Sequence, residues 1–241
     1  QAGFTMTVLV IFNIIVPTGW QIGLVRIEDV AVGSAISLAV GLLFWPRGME
    51  KLVRRSLGTA YTQSARYVAA ATRRLAGADA GDGLADARQE ARDAADRLDD
   101  AFRQYLAEPS RQRSERDDLA RLVSGATRVR LTAYSLSTLS PVQGPSQFSR
   151  CDRELIAETD RLRAWYDGLA ESVVQRQTIS PPQPGGDGSP VAQCVTSSLP
   201  HAGEAGPRSA LGLLWADHGV AELRQLAIEL AEPAGELARG R

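Results

Sequence analysis

Charged residues are absent from positions 1–25 and again from 30–46, then recur through most of the rest of the chain, with further gaps at 131–149 and 188–203. The break falls in the stretch Arg26 to Arg55, RIEDVAVGSAISLAVGLLFWPRGMEKLVRR. Between Asp29 and Arg47 lie 17 uncharged residues, which as a helix rise about 26 Å. That is slightly less than a hydrocarbon core of about 30 Å, a gap that a snorkelling Arg47 and a thinned bilayer can close. Trp45 stands at one end and Trp20 just before the other, where aromatic belts form. Two rows of small residues recur at four-residue spacing, Gly33/Ser37/Gly41 and Ala31/Ala35/Ala39. Such rows let a second helix approach closely in lipid, where apolar burial alone gives little drive. Upstream, the β-branched run Phe4 to Val16 predicts the end of another span, because lipid favours structures that pair their backbone internally. Pro17-Thr18-Gly19 breaks that helix, and Trp20 to Ile27 is a short amphipathic connection. Residues 1–46 thus predict a transmembrane helical hairpin of two antiparallel spans.

From Arg47 the apolar positions follow three-four alternation, the mark of amphipathic helices. Helices are predicted over about 47–75, 84–107, 114–139 and 150–175. The second shows the pattern most strictly, with Leu84, Ala87, Ala91, Ala94, Leu98, Ala101 and Tyr105. Its opposite face mixes Asp, Glu and Arg, as a solvated surface does. Residues 180–208 are rich in Pro, Gly and Ser and read as a flexible linker. A last helix is predicted over 209–232, stopping before Pro233. The fold class is all-α: a membrane hairpin, then an antiparallel bundle over 47–179. The linker lets the last helix return to the bundle or pack on a neighbouring subunit of a homo-oligomer.

Charge sets the orientation. The segment after Trp45 carries Arg47, Lys51, Arg54 and Arg55 against Glu50 alone. The positive-inside rule therefore puts the bundle in the cytoplasm and the 17–27 turn outside. Net charge is −1, so no general attraction to nucleic acid follows. Lys51 is the only lysine, an arginine bias that suggests a high-GC bacterial genome. Cys151 and Cys194 match no metal or redox spacing and read as two free thiols in a reducing compartment. The chain starts at Gln1 and enters an apolar run without a basic leader, which suggests the C-terminal piece of a longer membrane protein.

Nothing in the soluble part predicts catalysis: no phosphate-cradling Gly loop, no paired His at helical spacing, no nucleophile elbow. No cofactor and no metal site is expected. His201 falls in the linker and His218 on the last helix. The pairs Arg54–Arg55 and Arg73–Arg74 could touch anionic lipid or nucleic acid; only the first pair lies next to the membrane, where its role in topology explains it. The informative cluster is Arg26, Glu28 and Asp29 at the mouth of the second span, where charge is expensive. In one reading Asp29 caps the helix, Glu28 pairs with Arg26, and Arg26 snorkels. In the other, Arg26 attracts an anionic substrate while Asp29 or Glu28 exchanges protons. Asn13, inside the first span, either bonds a neighbouring helix or lines a substrate path.

The stretch PTGWQIGLVRIEDVAVGSAISLAVGLLFWPRG resembles the last transmembrane hairpin of the FUSC group, fusaric-acid-resistance-like proteins akin to the aromatic acid exporters. Arg26, Asp29 and Gly33 match the Arg, Asp or Thr, and Gly that open that family's small-residue span. LLWADHGVAELRQL is similar to the end of the family's cytoplasmic helical region. The resemblance implies a multi-span inner-membrane protein exporting aromatic carboxylic acids or related toxic compounds. Its partners would be membrane lipid and the remaining transmembrane helices of the full-length protein. An anion channel of the same broad group, or a membrane-anchored helical scaffold, are the alternatives. An enzyme is not expected.

Overall fold

A computed structural model describes residues 27–37, 49–78, 82–107, 113–140, 146–183, 188–203 and 206–239, and every regular element among them is helical. They fall into two units, 1–47 and 48–241. In the first unit the described part is one helical stretch, 27–37, exposed along its length. Among the described residues no helix is long and apolar enough to cross a membrane. The rest of the hairpin expected over 1–46 lies outside them.

The second unit is built around α1 (Met49–Leu75). It is followed by α2 (Asp82–Leu106), α3 (Arg113–Thr138), α4 (Ser149–Gln175), α5 (Pro190–Ser198) and α6 (Gly206–Arg239). α1 packs against α2, α3 and α4; α6 lies against α3 and α4; α5 touches α4 and α6. Side-chain bonds fix the directions. Tyr61 reaches Leu122 and Tyr67 reaches Ser137, so α1 and α3 run parallel. Arg54, near the start of α1, reaches Val173 and Leu237 near the ends of α4 and α6. Those two helices therefore run parallel to each other and antiparallel to α1. Two consecutive long helices that run parallel need a crossover, and residues 176–205 supply it.

α1 ends in a Schellman turn. Gly77 takes φ +67, Ala78 N–H donates to Arg73 O (2.9 Å), and Gly77 N–H donates to Arg74 O (3.1 Å). α4 ends similarly, but on Arg176 at φ 57, where a side chain is disfavoured. That backbone aims the Arg176 guanidinium at Glu50 of α1, with which it pairs.

The core combines alanine seams with large tyrosines. Ala91, Ala94 and Ala101 bury one face of α2 against Tyr61-, Val68- and Leu75-bearing α1, and Tyr105 is wholly buried near the end of α2. Tyr61 and Tyr166 stack at the centre with ring centroids 5.8 Å apart. Each hydroxyl donates to a backbone carbonyl of another helix: Tyr61 to Leu122 O at 2.6 Å, Tyr166 to Leu223 O at 2.8 Å. Burial raises the pKa of both phenols, so they stay neutral donors. Gly125 of α3 makes room for this. A Cβ there would stand 2.6 Å from the Tyr61 hydroxyl and 2.7 Å from Leu230.

Three sequence expectations need correction. Cys151 and Cys194 are not free thiols; they form a disulfide. The crossover returns the chain along α4 and sets α5 beside the first turn of that helix, a proximity that a separation of 43 residues conceals. The stretch expected to be a flexible linker contains α5. Ser189 caps it by accepting from the Val191 and Ala192 amides, Pro190 occupies its first position, and Val191 and Val195 are buried. The last helix does not stop before Pro233. It runs on to Arg239, because Pro233, Ala234 and Leu237 are buried, and that packing outweighs the backbone bond Pro cannot make.

Candidate functional site

The residues singled out at the mouth of the span divide between described and undescribed positions. Arg26, Asn13 and Gly41 lie outside the described residues. Glu28, Asp29, Gly33 and Ser37 belong to the exposed helical stretch 27–37. Asp29, Gly33 and Ser37 are four residues apart, so they share one face, and the carboxylate heads the row of small residues. A Cβ added at Gly33 would meet nothing within 4 Å. Ile27, Val30, Val32 and Ile36 of the same stretch are 52–67% exposed.

In the bundle, the basic residues read as lipid-facing turn out to divide their work. Lys51 and Arg55 are exposed, whereas Arg54 is buried. The Arg54 guanidinium donates to Glu50 Oε1 at 2.8 Å, to Leu237 O at 3.1 Å and to Val173 O at 3.4 Å. It thus serves carbonyls in the last turns of α4 and α6, which no helix can satisfy internally. Glu50 accepts from both Arg54 and Arg176. At the other end of α1, Arg74 donates to Ser137 O (2.9 Å) in the last turn of α3. There Ser137 donates to Tyr134 O, so Tyr67 must be the donor in its 2.7 Å contact with Ser137. Arg73 forms a fork to Asp160 at 2.6 and 2.9 Å. α1 therefore acts as a spine whose arginines cap its neighbours at both ends. The sequence showed these pairs only as basic residues; their capping role depends on which helix ends surround α1.

One hollow, about 620 Å³, is an open groove between α3 and α6. Asp117, Arg121, Arg128, Glu229 and Glu232 line it over a floor of Gly125, Leu226 and Leu230. Its charges are mixed, and Arg128 pairs with Glu229 at 3.3 Å. Burial raises the pKa of neighbouring Asp118; Arg121 opposes that shift, and Glu236, Asp117 and Glu232 add to it. A smaller hollow of about 300 Å³ holds His218 beside Leu131 and Trp215. Among the described residues no group of His, Cys, Asp and Glu could hold a metal ion. The remaining buried acid is Asp152 in the first turn of α4. Neither of its oxygens has a well-formed hydrogen bond, and burial raises its pKa, with the Ser146 hydroxyl pulling weakly the other way.

A family model described as "FUSC: Fusaric acid resistance protein family" matches residues 2–238. The match covers the apolar segment and the whole helical bundle. No curated protein and no solved structure matches the chain.

Proposed function

The chain belongs to the fusaric acid resistance protein family, and from that premise we propose that it forms part of an inner-membrane secondary transporter exporting aromatic carboxylic acids or related toxic compounds. The family consists of integral membrane proteins with a transport or efflux function. The observation that carries the reading is the extent of the match, which takes in apolar segment and bundle alike.

In this reading the apolar part of 1–46 packs in the membrane with further helices of the same transporter, along the Gly33/Ser37/Gly41 row. Arg26 supplies the positive charge that draws in a carboxylate, and the aromatic ring of the substrate rests on apolar walls. Asp29 or Glu28 takes up and gives back the coupling proton. The bundle lies in the cytoplasm, where Arg47, Lys51 and Arg55 favour it, and serves assembly or regulation.

The test is accumulation of a labelled aromatic acid in cells that make the protein. Export is expected to lower accumulation, and Arg26→Ala to restore it while the amount of folded protein stays the same. Normal export by both Arg26→Ala and Asp29→Ala would remove these residues from the mechanism. Flux in proteoliposomes that follows voltage and ignores the proton gradient would favour an anion channel. No flux, with a specific partner bound by the bundle, would favour a scaffold.

A further inference from the structure

We propose that the Cys151–Cys194 disulfide is a reversible latch, closed by oxidation and opened by a dithiol, that holds α5 against the bundle. Three observations carry this. The bond joins α5 to α4, and among the described helices α5 packs chiefly on α4 and α6. The central packing of α1 with α2, α3 and α4 does not run through it. The two sulfurs are also unequal: Cys151 is wholly buried, while Cys194 is only partly buried. Finally, little else secures α5. Val191 and Val195 are its buried side chains, and the Ser189 hydroxyl donates to Asp217 of α6 at 2.7 Å.

The exchange follows from that inequality. A dithiol thiolate attacks the reachable Cys194 sulfur, the Cys151–Cys194 bond breaks, and the electron pair leaves on Cys151. Cys151 then takes up a proton and becomes a thiol. The second thiol of the reagent attacks its own mixed disulfide with Cys194, releasing Cys194 and the cyclic oxidised dithiol. Two electrons and two protons pass to the protein in all. α5, freed from α4, then keeps only two buried valines and one capping contact, and the crossover loosens. A disulfide on the cytoplasmic face meets such reductants continually, which suits a switch better than a permanent staple. The latch takes its physiological reductant from the cytoplasmic placement proposed above; the bond itself is tested without it.

The experiment is hydrogen exchange by mass spectrometry on the full chain in detergent, with and without dithiothreitol. Reduction is expected to speed exchange in Pro190–Ser198 by at least about tenfold, with Leu57–Val68 of α1 unchanged and protection restored on reoxidation. Cys194→Ser should exchange like the reduced chain and should not respond to the dithiol. Unchanged α5 protection after reduction would overturn the latch. So would α1 opening together with α5, or two thiols titrating in the unreduced denatured chain. Because no transport is measured, failure here and failure of the exporter reading are separate results.

Discussion

The helical stretch 27–37 and α1 are both sprinkled with small residues, yet they use them differently. In α1, Gly58, Ala60, Ala65, Ala69 and Ala71 are buried. A Cβ on Gly58 would stand 3.0 Å from Ala170 O, so α4 has closed on that point. In 27–37, Ala31, Gly33, Ala35 and Ser37 are all exposed, among exposed Val and Ile. Small residues are thus a signal of close approach that needs a second helix to give it meaning. Within the bundle the second helix belongs to the same unit; for 27–37 the proposed membrane reading assigns that role to further helices of the transporter. The predictions below test that contrast.

The largest effect is expected where α1 closes the bundle by charge. Arg54→Ala leaves Val173 O and Leu237 O without their donor in a buried setting, while Glu50 keeps Arg176. Unfolding in urea should show a loss of about 3 kcal/mol, since each buried carbonyl left without its donor costs about 1–3 kcal/mol. A loss below about 0.5 kcal/mol, the level of an exposed pair, would mean that Arg54 does not tie the three helix ends.

Next comes close packing itself. Gly125→Ala drives a methyl into the Tyr61 hydroxyl and Leu230. Overpacking costs about 1–3 kcal/mol, the displaced Tyr61 bond about 1 more, and the better helix propensity returns about 1. A net loss of about 2 kcal/mol in the same urea titration is expected. An unchanged midpoint would show that Tyr61 and Leu230 can step aside.

Much of the bundle could be read before its structure was known. Leu84 to Tyr105 repeat at helical spacing because one face of α2 is buried, and its boundaries follow from that face. The predicted end of the first helix at about 75 also matches, and Gly77 just beyond it takes a positive φ. What stayed hidden depends on which elements meet. Nothing local tells Arg54, which turns inward, from Arg55, which stays in water; the difference arises from the ends of α4 and α6, more than a hundred residues away. The same holds for Cys151 and Cys194, joined by a crossover whose Pro- and Gly-rich composition masked a capped helix. Pro233 was read as a stop on local grounds, and burial of its neighbours overrode it. At the candidate transport site, Gly33 and Ser37 were legible as one face from their four-residue spacing.

A smaller effect, with a sign of its own, belongs to Asp152. Burial raises its folded-state pKa above the ordinary carboxylate value, so the folded chain holds this proton more tightly than the unfolded one. The stability it costs is absent below the unfolded pKa, near 4, where both states are protonated. The cost grows as pH rises through the raised folded pKa, and it is fully present above that value. Asp152→Asn should therefore be more stable than the parent at pH 7, with the advantage shrinking as pH falls towards 4. Urea midpoints across that range decide it. An advantage that stays constant with pH would show that the charge is not its source.

The smallest effect on the bundle is expected from Gly33→Ala, the counterpart of Gly125→Ala. Both add one methyl to a helical glycine. At Gly33 the methyl meets nothing within 4 Å, so helix propensity alone predicts a change of at most about 1 kcal/mol, favourable and confined to 27–37. The bundle's urea midpoint should not move. In a bilayer the same methyl stands in the row where another helix would approach, and association there depends on small residues. Crosslinking or energy transfer between labelled chains in vesicles should then weaken while the bundle stays intact. If association is unaffected, the exposed Gly33 face is not a packing surface, and the likeness between the two sets of small residues is one of composition alone.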